Sequence, residues 1–276
     1  MLITYYGTGG GAGIPEMFCS CRVCEYARKH GGPEIRTRSQ ATVDDLMIDF
    51  SVDTFGHCVY RGLDMRNYRN VLITHAHFDH YMHPELVSRF TDYGGGWTFY
   101  LPSPAYQQES KWLIEATSGP QKDPPRVSPR MKESIPFTPM QVGSARVTPL
   151  PSQHAPAVGS VIYLIEKDGK NLLWVHDSGL LLPETEEYLK KLSLHLDAVS
   201  LDCTLKRNHC ITPNHMDILR CDQTAKFLRD IDLADDSTIF IISHIGHLLE
   251  KTHHELEEEA AKFGFLVAYD GFSIEI

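Results

Sequence analysis

Short apolar runs rich in β-branched and aromatic residues recur along the chain, bounded by Gly, Pro, Asp and Ser, and they predict strands. The runs extend over Leu2 to Tyr6, Thr42 to Phe50, Val71 to Thr74, Thr98 to Leu101, Ala145 to Leu150, Ser160 to Ile165, Asn171 to Val175, Ala198 to Asp202, Ser237 to Ile242, Leu266 to Tyr269 and Phe272 to Ile276. Helical patterns fall between several of them: Pro84 to Phe90, Ala105 to Thr117, Pro183 to Leu192, Asp217 to Asp230 and Leu249 to Phe263. Strands come in runs with helices between the runs, which predicts packed sheets with helices outside rather than one doubly wound sheet. The Pro- and Gly-rich stretch from Ser118 to Pro139 predicts a long surface excursion, and the wider stretch from Asp92 to Pro139 carries no motif. No short-period repeat or linker divides the 276 residues, so one domain spanning 1–276 is expected.

Composition narrows the function. With 42% hydrophobic and 22% charged residues the chain is ordinary for a globular protein. No apolar run reaches the roughly 18 residues of a membrane span, and the opening MLITYYG lacks the regions of a secretory signal. A cytoplasmic protein without membrane contact is the expectation. The formal net charge of −10, with no Lys/Arg run, argues against holding a long nucleic acid. A small anionic substrate still fits if bound divalent cations offset the charge locally. A homodimer is allowed but not specified.

The densest chemistry lies in LITHAHFDHYMHPE, where His75, His77, His80 and His83 crowd around Asp79 directly after an apolar run. Neutral imidazole is the commonest metal ligand and a carboxylate its oxygen partner. His75 and His77, two apart in an extended segment, share a face. Asp79 and His80 follow at the turn into a helix, a spacing that suits two metals side by side. Three further ligand candidates follow apolar runs at strand ends: His154 in PLPSQHAP, Asp177 in LLWVHDSG and His244 in IFIISHIGH. Asp49, ending DLMIDF, is expected to accept an N–H from a ligand histidine and fix its tautomer, with Asp53 the weaker candidate. His176 alternates to the opposite strand face and reads as packing. His83, His209, His253 and His254 read as solvent-exposed.

Of seven cysteines, Cys19, Cys21 and Cys24 form C-x-C-x₂-C. That spacing brings three sulfurs within reach of one tetrahedral zinc whose fourth ligand lies elsewhere; three unpaired thiols in a loop is the competing view. Cys58, Cys203, Cys210 and Cys221 are scattered and read as core thiols. The glycine cluster GTGGGAGIP formally fits a dinucleotide fingerprint, but Pro15 and the cysteines follow where a helix should start. A tight turn that lets backbone approach the metal site closely is the better reading.

With these residues in view the chain resembles the metallo-β-lactamase superfamily, whose HxHxDH signature stands here as THAHFDH. Within it, the GTGG start, the cysteine loop, MID at Asp49, VTPLP before His154, HDSG at Asp177, NHMD at His215, SHIGH at His244 and His247, and the terminal YDG resemble the phosphoribosyl cyclic phosphodiesterases of bacterial phosphonate degradation. The resemblance implies an α/β fold, an αββα sandwich of two packed mixed sheets with helices outside. It assigns His75, His77 and His154 to one divalent metal, Asp79, His80 and His244 to another, and Asp177 to the bridge. His247 becomes the fourth ligand of a structural zinc beside Cys19, Cys21 and Cys24.

The implied reaction is hydrolysis of a small cyclic phosphate ester by a metal-bridging hydroxide, with manganese, zinc or iron in the active site. His215 becomes the general acid, and Asp217 is expected to orient or tune it. Lys206 and Arg207 in TLKRNHC are basic enough to contact phosphate. Three alternatives stay open: a thioesterase or lactonase on the same fold, a transfer-RNA 3′-processing nuclease, and a non-catalytic metal-binding partner in a biosynthetic pathway.

Overall fold

The computed structural model describes residues 1–88, 96–117, 129–155, 159–208 and 213–276. Among these, the strands assemble into two mixed sheets of seven. The first runs in the order β14 (Ser273–Glu275), β1 (Leu2–Gly7), β2 (Gln40–Val43), β3 (Leu46–Ile48), β4 (Asn70–Leu72), β5 (Thr98–Pro102) and β6 (Arg130–Ser134). The second runs β13 (Phe265–Val267), β12 (Ile239–Ser243), β11 (Ala198–Asp202), β10 (Lys170–Val175), β9 (Val161–Lys167), β8 (Ala145–Pro151) and β7 (Met140–Val142).

Both sheets are apolar on both faces, and the two-residue period of a strand sorts their side chains into three layers. Leu46, Ile48, Leu72, Tyr100, Leu172, Trp174, Ala198 and Ile241 fill the space between the sheets. Their neighbours Met47, Val71, Ile73, Phe99 and Leu101 face outward beneath Leu86 of α3 (His83–Ser88) and Ala105 of α4 (Ser103–Thr117). On the other side Leu173, Val175, Val199, Leu201, Phe240 and Ile242 meet α1 (Arg22–His30), α5 (Pro183–Leu189), α6 (Ile218–Asp230) and α7 (His253–Ala260) through Ala27, Leu189, Ala225 and Leu256. This is the αββα sandwich. Each fully buried Leu, Ile or Phe adds about 1.5–3 kcal/mol of burial free energy.

Strand direction places the site. β10, β11 and β12 are mutually parallel, and β8 runs the same way because β9 is antiparallel to both β8 and β10. β3 and β4 are parallel in the other sheet. Carboxyl ends of such strands collect at one rim, where a crevice forms.

The departures from expectation have local causes. The run from Thr42 to Phe50 is a hairpin, not one strand, because Asp44 takes a left-handed φ of 49° and turns β2 into β3. β6 and β7 lie inside the stretch expected as an excursion; they are short edge strands, and only one residue in each is fully covered. Residues 118–128 of that stretch, and 92–95 before it, lie outside the described residues. α1 and α2 (Thr54–Tyr60) were not expected: α1 buries only Val23, Cys24 and Ala27, and α2 leaves Phe55, Val59 and Tyr60 in solvent. α7 starts at His253, set by a Thr252/Glu255 capping box, rather than at Leu249.

A buried carboxylate ties the chain's ends together. Asp270 accepts from Thr8 N (2.9 Å), Thr8 Oγ1 (2.8 Å), Thr37 N (2.8 Å) and Thr37 Oγ1 (2.6 Å), and pairs with Arg61 at 3.2 Å. It thereby holds the glycine turn after β1 in place. Asp270→Ala strands these donors and should lower the unfolding free energy by about 3–5 kcal/mol in urea titrations. A loss under about 1 kcal/mol would contradict the role.

Candidate metal centre

At the rim of the sandwich the chain turns sharply after β3, β10 and β12. Asp49, Asp177 and His244 each take left-handed backbone angles there, with φ of 66°, 46° and 56°. Asp and His tolerate that conformation better than most residues, and it is uncommon enough to mark a site. These turns swing three side chains into one crevice.

Two sets of donors meet around Asp177. His75 Nε2 lies 2.9 Å from His77 Nδ1, and His154 Nε2 lies 3.3 Å from the same nitrogen. Asp177 Oδ1 stands 3.5 Å from His154 Nε2. On the other side Asp177 Oδ2 is 2.6 Å from His80 Nε2 and 3.0 Å from His244 Nε2, while Asp79 Oδ2 is 3.5 Å from His80 Nε2. His75, His77 and His154 form one ligand cluster, and Asp79, His80 and His244 another. The structure thus brings together all seven residues expected around two metals.

The donor chemistry fits cations rather than hydrogen bonds. His80 Nε2, His244 Nε2 and Asp177 Oδ2 are buried yet none makes a geometrically sound hydrogen bond. Ring nitrogens and carboxylate oxygens that converge in this way are what a shared cation requires. Burial disfavours charge on His80, but Asp177, Asp49 and Asp79 outweigh it and hold its pKa well above the usual value. The His244 pKa rises to about 10, burial again being overcome by Asp177 and Asp202. Burial and the neighbouring His80 push His75 well below the usual value, keeping it a neutral donor.

Groups behind the ligands fix their orientation. Asp49 Oδ2 accepts from His80 Nδ1 at 2.7 Å and Asp49 Oδ1 accepts from Thr74 N at 2.8 Å, the supporting position expected for it. Gly10 and Gly11 press on the site: an added Cβ would lie 3.2 Å from His244 Cε1 and 2.8 Å from Asp79 Oδ2, respectively. The glycine cluster therefore serves close approach, not nucleotide binding.

His215 sits at the same rim, its ring 4.7 Å from that of His154. Its Nδ1 is 2.8 Å from Asp202 Oδ2, and the same oxygen lies 3.3 Å from His244 Nδ1. Thr204 Oγ1 donates to Asp202 Oδ1 at 2.9 Å. Burial opposes charge on His215, but Asp202 outweighs it and raises the pKa. Asp217 does not do this: it caps α6, accepting from Arg220 N at 2.9 Å. Proximity in sequence misled, because the residue facing His215 comes from the end of β11. Asp202 closes an apolar run in SLDCT as Asp177 does in WVHDS, so the same strand-end signal could have found it.

The remaining candidates fall as follows. Asp53 pairs with Arg38 at 3.2 Å, and Lys206 and Arg207 pair with Glu250 and Glu259 at 2.5 and 3.5 Å, so neither basic residue is held for phosphate. His176 is buried between Ser39 and Ser200 against Trp174, as expected of packing. His253 is buried rather than exposed, its Nδ1 2.9 Å from Arg36 Nη2. His83 is half-buried, 3.5 Å from Glu109, and His254 is exposed. Cys203 and Cys221 are buried thiols, whereas Cys210 and His209 lie outside the described residues.

The cysteines form a second centre. Cys19, Cys21, Cys24 and His247 converge, with Cys19 Sγ and Cys21 Sγ 3.4 and 3.7 Å from His247 Nδ1. Burial pushes the Cys21 thiol up, but hydrogen bonds from Cys24 and His247 bring its pKa to about 6. Glu16, which the sequence did not single out, backs the group: its N–H donates to Cys24 Sγ at 3.4 Å and its carboxylate lies 3.4 Å from His247 Nε2.

Comparison with known proteins agrees with this fold. A diphosphatase of the PhnP family covers 100% of this chain and 96% of its own at 18% identity and a TM-score of 0.72. Zn(2+)-bound PqqB from Methylobacterium extorquens covers 100% of both chains at 18% identity and a TM-score of 0.73. YhfI, a metallo-β-lactamase fold protein from Bacillus subtilis, covers 100% of this chain and 99% of its own at 18% identity and a TM-score of 0.70. At such identities the likeness is one of fold. A protein named octanoyltransferase from Porphyromonas gingivalis (strain ATCC BAA-308 / W83) is 35% identical over 79 residues, which is 27% of this chain and 15% of that one. The family model for the beta-lactamase superfamily domain matches residues 45–245. The chain belongs to the metallo-β-lactamase superfamily of metal-dependent hydrolases.

Proposed function

We propose that the protein is a phosphodiesterase for a small cyclic phosphate ester of the phosphoribosyl 1,2-cyclic phosphate kind. The observation that carries this reading is the Asp202–His215 pair, which aims a protonatable imidazole at the rim of the donor clusters around Asp177. Such a group serves a leaving oxygen that is a poor alkoxide.

His75, His77 and His154 would hold one divalent cation, and Asp79, His80 and His244 the other, with Asp177 shared. Manganese, zinc and iron all suit five imidazoles and two carboxylates. When bound, such a pair activates water and neutralises charge on the phosphoryl group. The protein's own residues do the rest. Asp49 fixes the His80 ring so that Nε2 faces inward. Asp202 favours the charged form of the His215 imidazole and, by taking Nδ1, leaves Nε2 to face the ester. As the oxygen of a water that has given one proton to solvent bonds to phosphorus in line, the ester P–O bond breaks with its electron pair on the sugar oxygen, which takes a proton from His215, and His215 regains one from solvent. We place a structural zinc among Cys19, Cys21, Cys24 and His247.

The net charge of −10 fits a small substrate better than transfer RNA. Among the described residues no helix is long and apolar enough to cross a membrane. A second reading, hydrolysis of an acyl ester or thioester, draws on the partial likeness to a protein named octanoyltransferase. Turnover of a thioester in preference to bis-p-nitrophenyl phosphate and a ribose cyclic phosphate would favour it.

His215→Ala should slow hydrolysis of a ribose 1,2-cyclic phosphate by about 10²–10⁴. Release of p-nitrophenolate, which needs little protonation, should suffer far less. Equal losses with two metals still bound would show that His215 does not donate the proton. At the second centre, Cys21→Ser should lose one zinc equivalent and melt at lower temperature while the histidine centre stays loaded. Glu16→Ala should weaken zinc by about 10–100-fold in competition with a chelating dye. Full zinc retention by Cys21→Ser would remove the assignment.

A further inference from the structure

We propose that Gly179 is a positioning residue for His215, because it lets the chain just before His215 rest directly on the turn that carries Asp177. This rests on the phosphodiesterase reading above and adds the contact that places its proton donor. Gly179 follows Asp177 by two positions in HDSG. A Cβ on it would stand 1.7 Å from the carbonyl oxygen of Pro213 and 2.8 Å from the carbonyl carbon. Both obstacles are backbone, so no side chain could swing aside to make room. The φ of Gly179 lies outside the left-handed region. Close approach alone, not backbone angle, therefore demands glycine here.

The segment from Pro213 to His215 has further anchors on the site. Asn214 O accepts from His154 Nδ1 at 3.4 Å, which leaves Nε2 of that ring for the donor cluster. His215 Nδ1 is paired with Asp202, and Arg220 Nη1 donates to His215 O at 3.1 Å. So held, His215 Nδ1 lies 3.9 Å from Asp177 Oδ1. The Asp177 turn is the fixed side of the glycine contact: residues 176–179 are buried, and Ser152 Oγ donates to Asp177 O at 2.6 Å. Pro213 is exposed and Asn214 and His215 are half-buried, so their segment is the side that gives way. An alanine at 179 would part the two backbones by about 1 Å or more, and misplacement of a catalytic group on that scale costs on the order of 10²-fold in rate.

The test follows metal-loaded Gly179→Ala on a ribose 1,2-cyclic phosphate, which must expel an alkoxide, and on bis-p-nitrophenyl phosphate, which expels a stable phenolate. The kcat on the cyclic ester should fall by about 10²-fold with KM little changed, while p-nitrophenolate release falls far less. Adding Gly179→Ala to His215→Ala should cost nothing more, since one residue acts through the other. Equal losses on the two esters, or a double variant slower than His215→Ala by the full effect of Gly179→Ala, would overturn the proposal. A crystal structure of Gly179→Ala should show Pro213 O drawn back by about 1 Å or more from its place in wild type, with the Asp177 turn unmoved. A displaced Asp177 turn beside an unmoved His215 overturns it. If the alanine variant does not fold, Pro213→Gly decides, because it removes the ring that fixes the direction of the Pro213 carbonyl. It should show the same asymmetry between the esters at smaller size, and equal losses there also overturn the proposal. If wild type hydrolyses neither ester, the parent reading fails, and the comparison of crystal structures alone decides whether Gly179 places His215.

Discussion

Asp177 is a buried carboxylate with imidazoles on both sides, and the rest of the site follows from satisfying it. Its Oδ2 lies 2.6 Å from His80 and 3.0 Å from His244, and its Oδ1 3.5 Å from His154. A charge so deeply buried is tolerated only when paired or coordinating a metal. No single sheet could supply these partners. His75, His77 and His80 follow β4 in one sheet, whereas His154, Asp177 and His244 follow β8, β10 and β12 in the other. The packed apolar layer between the sheets sets their separation, and hence the geometry at the rim.

The supports are layered outward from that carboxylate. Asp49 holds His80, Asp202 touches both His215 and His244, and Thr204 Oγ1 lies 2.8 Å from His244 Nδ1. Gly10 links to the same turn through its N–H to Ile245 O at 3.2 Å. Two residues beyond Ile245, His247 enters the cysteine cluster. One short loop therefore carries a candidate ligand of each centre, His244 for one and His247 for the other.

Much of this was legible in the sequence because strand ends deliver side chains to a rim. The HxHxDH run, His154, Asp177 and His244 all follow apolar runs, and strands that come in runs with helices between them point to packed sheets. What escaped depended on contacts between distant segments. Asp217 looked like the partner of His215 because it is two residues away; Asp202, thirteen residues back, is the one in contact. His253 gave no local sign of burial, because Arg36 covers it from the far end of the chain. Glu16 is an ordinary surface residue type whose place behind the cysteine cluster arises only from what the fold sets beside it. The edge strands β6 and β7 were missed because one covered residue apiece leaves too little apolar pattern.

The central claim is a two-cation centre shared by Asp177, and anomalous diffraction tests it most directly. Crystals of protein purified without chelator should show two peaks, about 3.5–4 Å apart, flanking the Asp177 carboxylate, one against each histidine cluster. A third peak, with the absorption edge of zinc, should lie among Cys19, Cys21, Cys24 and His247. A single peak among the histidines, or a pair not bridged by Asp177, would contradict the account.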